Sequence, residues 1–143
     1  MENWIINKDN EVDCIKEVVS DKKDHITYKN LKGELVAVDK SYFYTYEYLM
    51  QQSQAFTIGS KVQKRMANGK YFGKFELFKI LPNIDSNKVN RYVLLHDNTF
   101  LLADKIRLYD ERIIAIETKM NKSVTTKNAS DAIANLVRAL KDA

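Results

Sequence analysis

Residues 61–80 read Lys61-Val62-Gln63-Lys64-Arg65-Met66-Ala67-Asn68-Gly69-Lys70-Tyr71-Phe72-Gly73-Lys74-Phe75-Glu76-Leu77-Phe78-Lys79-Ile80, and the Asn68-Gly69 pair at their centre decides the fold class. Asn and Gly tolerate the positive φ angles that a two-residue hairpin turn demands. A strand near 57–67 therefore returns as a strand near 70–81, closed by Pro82. The pattern recurs on either side. Asn30-Leu31-Lys32-Gly33 joins a strand over 25–30 to Leu35–Val38. After a polar loop at 83–90, Asp97-Asn98 joins Tyr92–Leu95 to Thr99–Ala103, and Asp110-Glu111 joins Ile106–Tyr109 to Arg112–Glu117.

Helical spacing is expected in three places. Val12, Ile15, Val18 and Val19, behind Asp9 or Asn10 as a cap, predict a short helix over 11–20. In Ser41–Phe56 the residues Tyr42, Tyr44, Tyr46 and Tyr48 alternate as in a strand, while Phe43, Tyr46, Leu49 and Met50 form a helical stripe. The Leu, Met and Gln residues late in the segment favour a helix over 42–54. A polar loop over Thr118–Lys127 leads to a last helix capped by Asn128 or Ser130, with Ile133, Leu136, Val137 and Leu140 on one face. The expected fold is α+β: an antiparallel, curled or partly closed β-sheet of six to eight strands, a short N-terminal helix and an amphipathic C-terminal helix. In element order this resembles a PH-type barrel, where a strand meander ends in one helix; the likeness carries no function. Glu34–Lys40 is weakly echoed by Phe100–Lys105, but two strand-end Asp-Lys pairs define no repeat.

Composition narrows the class. A chain of 143 residues with one Pro and four Gly is expected to be one domain, 1–143, without a flexible linker. No apolar run approaches the ~20 residues of a membrane span, and residues 1–6 lack the basic start of a signal peptide. One cysteine, Cys14, excludes an internal disulfide framework, which fits a cytoplasmic protein. Abundant Lys, Asn and Ile fit a low-GC bacterium, its phage or its plasmid. Charge is uneven: residues 61–80 hold six basic residues against one acid, whereas residues 1–60 hold seven against ten.

The basic stretch is the first candidate site. Lys61, Lys64, Arg65, Lys70 and Lys74 interleave with Tyr71 and three phenylalanines. Cations neutralise phosphates and exposed rings stack on unpaired bases, so nucleic acid is one expected partner and an acidic protein surface another. Inward-facing rings under a solvated lysine face would produce the same pattern. Tyr42, Tyr44 and Tyr46 form a second candidate contact surface, since tyrosine presents rigid area with a polar tip.

One constellation has the look of an enzyme. Asp104 is followed by Glu117-Thr118-Lys119 at the end of the apolar run Ile113–Ile116. This resembles the core of the PD-(D/E)xK nuclease family, although Ala103 stands where that family places proline. Under a two-residue turn at Asp110-Glu111, Asp104 and Glu117 face each other across a hairpin. The resemblance then implies Mg²⁺ held by the two carboxylates, with Lys119 activating water. His25 and His96 lack zinc-ligand spacing, and no phosphate-loop, dinucleotide or nucleophile-elbow motif occurs. The expected function is thus a small non-catalytic binding protein without a cofactor. An inhibitor of a host or phage factor is one form of it. A metal-dependent nuclease and a self-assembling structural protein, or homo-oligomer, are the alternatives.

Overall fold

The computed structural model describes residues 3–81 and 92–122, which form an α+β structure of two helices and eleven strands in three antiparallel sheets. The chain divides into two compact units. Unit 1 holds Met1–Tyr46 and the stretch from Glu111 onward; unit 2 is Glu47–Asp110.

Unit 1 begins with β1 (Asn3–Asn7), β2 (Val12–Ile15), β3 (Glu17–Asp21), β4 (His25–Lys29) and β5 (Leu35–Asp39). A 3-10 turn over Lys40–Tyr42 and β6 (Phe43–Thr45) follow. β2 and β3 are one bent strand interrupted at Lys16, whose N–H still bonds Lys29 O at 2.9 Å. The first half pairs with β1 and the second with β4, and β1 also pairs with β6. Unit 2 repeats this order with β7 (Lys61–Arg65), the ten-residue β8 (Tyr71–Ile80), β9 (Tyr92–Leu95) and β10 (Phe100–Leu102). A 3-10 turn over Ala103–Lys105 leads to β11 (Ile106–Leu108). Its sheet runs β10-β9-β8-β7-β11, with open ends at β10 and β11.

The two units are therefore copies of one topology. In each, the first strand lies between the second and the last, and a 3-10 turn delivers the last strand. The turns agree as well. Four hairpins, at 8–10, 31–33, 67–69 and 96–98, close with the same pair of backbone bonds around a three-residue loop. The third residue is left-handed each time: Asn10 at φ 63°, Gly33 at 80°, Gly69 at 85° and Asn98 at 68°. Asn68 is not left-handed, so the expected two-residue Asn68-Gly69 turn is a type I turn followed by Gly69 instead. The Asp-Lys echo falls on equivalent segments, but two residues out of structural register: Asp39, not Ala37, occupies the position of Leu102 before the 3-10 turn.

Helix α1 (Tyr46–Gln52) follows β6, and helix α2 (residues 111–122) follows β11. Each packs in the unit that did not precede it. From Glu47 onward α1 belongs to unit 2, where buried Leu49 and Ser53 lie. There Arg107 Nη1 approaches Met50 Sδ at 3.3 Å, and Leu108 N donates to Ser53 O at 2.8 Å. α2 belongs to unit 1, with Ile113 and Ile116 buried.

Alternation gives both unit cores two sides. On one side of unit 1, Ile5, Ile15, Ile26 and Tyr28 pack with Val36, Val38 and Phe43. The other side carries the fully buried Ile6 and Cys14, and Arg112 of α2 sits over Tyr44, the rung partner of Ile6. In unit 2 the main core is Val62, Leu77, Val93, Leu95 and Ile106.

Several expectations are corrected. Residues 11–20 are strands, because β2 is buried on both faces and β3 carries a bulge at Val19, so the period-two pattern is lost. The helix expected over 42–54 shrinks to α1, behind a 3-10 turn and β6. Arg112–Glu117 is helix rather than strand, and helix continues through residue 122 of the expected loop. Three open sheets replace the single curled or barrel-like one. The loop at 83–90 and the helix from Asn128 lie outside the described residues.

Candidate binding face

The basic residues of the hairpin divide between the two faces of the β7–β8 ladder. Gly73, at φ 74°, sits in a bulge between the Val62 and Lys64 rungs. Lys64 turns to the core side, where it pairs with Asp97, donates to Thr99 Oγ1 at 2.6 Å and lies 4.1 Å above the Phe75 ring. Its hydrogen bond, with that of Thr99, holds the Asp97 carboxyl down at about 2. Lys61 pairs with Glu76 at 3.3 Å, Lys74 lies 4.6 Å over the Tyr109 ring, and Tyr71 is stacked by Arg107 at 4.1 Å. Arg107 is buried and also donates to Gln63 Oε1 at 3.0 Å. Arg65 and Lys70 are exposed near the hairpin tip.

The tyrosine cluster is tied into unit 1. Tyr42 donates to Asp9, which pushes the phenol's pKa upward. Tyr44 carries the Arg112 guanidinium 5.1 Å over its ring, and Tyr46 donates to Glu117 Oε2 at 2.7 Å.

The hairpin that would bring Asp104 against Glu117 is not formed. Asp104 lies in the 3-10 turn of unit 2, while Glu117 and Lys119 ride on α2 in unit 1. The physical reason is that Ile113 and Ile116 bury one helical stripe. Among the described residues no three His, Cys, Asp or Glu side chains gather as a metal would require. None of the described helices is long and apolar enough to cross a membrane.

The arrangement that sequence reading missed is the outer face of β8, β9 and β10, opposite the core of unit 2. Register places Lys79, Leu94 and Phe100 in one row across these strands, and pairs Tyr92 with Leu102 in the next. Phe78 is 50% exposed, Tyr92 45% and Phe100 54%. The Tyr92 and Phe100 rings stack at 4.8 Å and 4°; Phe78 leans on the His96 ring at 4.8 Å. His96 Nε2 in turn lies 3.1 Å from Glu76.

Unit 1 shows what this face is without those rings. Its bulge at Val19 matches the one at Phe78, and the 3-10 turns align Asp39 with Leu102. By that register Thr27, His25 and Ala37 hold the positions of Leu94, Tyr92 and Phe100. The strand framework therefore forms without aromatic residues there. Only comparison of the two units reveals this signal.

The chain matches no known protein family, no curated protein and no solved structure.

Proposed function

We propose that this chain is a non-catalytic binding protein whose contact surface is the outer face of β8, β9 and β10. One observation carries the reading: half-exposed Phe78, Tyr92 and Phe100 occupy positions where the equivalent strands of unit 1 bear Val19, His25 and Ala37. Large rings left in water at positions that do not need them for folding are a cost unless a partner covers them. The experiment exploits the internal comparison. A photo-crosslinking residue is placed at position 100, or at the equivalent position 37, and irradiated in the native host. Adducts are expected at 100 and not at 37. Equal yields at both, or none at either, would remove this reading.

A further inference from the structure

We infer that the occupant of the β8–β10 face is single-stranded nucleic acid, an inference that rests on this face being the contact surface. Tyr92 and Phe100 present a flat, nearly parallel pair, and Phe78 lies across the sheet beside His96. Rings offered edge and face on an open sheet suit planar partners, and unpaired bases are such partners whatever their sequence.

Charge selects among planar or apolar partners. Unit 2, Glu47–Asp110, holds ten basic and six acidic residues, while the rest of the chain holds thirteen of each. The whole net charge of +4 therefore resides in the unit that bears the rings. Lys79 shares the Leu94–Phe100 row, and Lys61 and Lys74 flank it on the same side of β7 and β8. Among the described strand residues of that face, Glu76 is the one carboxylate, and Lys61 and His96 already attend it. An acidic protein surface would satisfy the lysines but set carboxylates against rings. A duplex would satisfy the lysines but keep its base faces in its own stack. Only a single strand brings phosphates and free π-faces in one polymer.

The test is fluorescence anisotropy with oligo(dT), oligo(rU) and a duplex, each of about 15 nucleotides, the upper end of the site size of a small single-strand-binding fold. Saturable binding of the single strands is expected, weakening steeply from low to physiological salt, with the duplex bound far less. Exchanging the rings for the residues of unit 1, as Phe78→Val, Tyr92→His and Phe100→Ala together, is expected to weaken binding by roughly 100-fold or more at fixed salt, about tenfold per stacked base. The melting curve should persist, since unit 1 folds with those residues. Lys61→Gln with Lys79→Gln should instead flatten the slope of log K against log salt by about 1.4, two single-strand phosphate contacts. Three results overturn the inference: no retention of either oligonucleotide at low salt, duplex bound as well as single strand, or affinity indifferent to the ring exchange. Protein adducts, or ring-dependent self-association in sedimentation, without oligonucleotide binding would overturn it while leaving the contact surface standing. Absence of every adduct would take both down.

Discussion

Lys64 on β7 reaches across the core side of unit 2 to Asp97, thirty-three residues along the chain, and ties the hairpin to the loop between β9 and β10. The same ammonium bonds Thr99 and faces the Phe75 ring, so its partner is fixed in place. Asp97's folded-state pKa of about 2 lies below its unfolded value. Such a group's contribution is complete above the unfolded value, ~3.9, and is lost as pH falls through the folded one. Melting temperature for the wild type minus that for Asp97→Asn should hence be positive and level near neutrality, then shrink from about pH 4 to about pH 2. A difference that ignores pH in that window would deny the pair its role.

Gly73 is confined by a ring. A Cβ there would lie 2.4 Å from Phe75 Cε2, and Phe75 is itself held edge-on by Phe72 with Lys64 above it. Gly73→Ala is expected to cost about 1–3 kcal/mol from left-handed strain alone, plus the displacement of Phe75. Gly69→Ala shares the strain, at φ 85°, but its nearest contact is 4.0 Å away. Denaturant titration of both variants isolates the ring term. Equal losses would mean that Phe75 moves freely.

Cys14 offers a direct readout of α2. It is 2% exposed, on the side of unit 1 to which Arg112 and Glu117 anchor that helix. Ile113→Ala and Ile116→Ala each remove about 2–5 kcal/mol of packing, which should loosen α2 before the sheets open. Reaction of the single thiol with a chromogenic disulfide should accelerate markedly in these variants. Val93→Ala, which wounds the core of unit 2, should leave the thiol rate near that of wild type. If the two classes label alike, Cys14 is shielded by something other than α2.

Metal-dependent cleavage is expected to be absent, because α2 removes Glu117 from any strand opposite Asp104. Linear DNA and RNA should survive Mg²⁺ or Mn²⁺, and neither ion should shift the melting temperature. Glu117→Gln keeps an acceptor for Tyr46, so its cost should stay within about 1.5 kcal/mol. Cleavage that disappears in that variant would restore the nuclease reading.

Much of the fold was legible because the hairpins announce themselves. Asn or Gly at the third loop position, between runs of Val, Ile, Leu and aromatic residues, marks the turns at 31–33, 67–69 and 96–98, whereas Asn10 at 8–10 reads as a helix cap. Misreadings fall where tertiary burial breaks the period. β2 buries Cys14 on one face and Ile15 on the other, and the bulge at Val19 shifts phase, so the valines mimic a helix. Ile113–Ile116 has no alternation to separate strand from helix, and packing decides. The duplicated topology is invisible because only backbone geometry is shared; the one echo is out of step. Of the candidate face, the 61–80 segment pointed to β8, but Tyr92 and Phe100 come from other strands, and no local rule says that they stack.

The exchange of helices also sets an order of events during synthesis. Unit 2 is continuous and holds every residue it needs once Asp110 has left the ribosome. Unit 1 must wait for α2, although its strands emerge first. At ~5–20 residues per second, the beginning of the chain spends several seconds with the Ile6 and Cys14 side uncovered. The middle of this protein is finished before its beginning, and chaperone demand during translation should fall on residues 3–46.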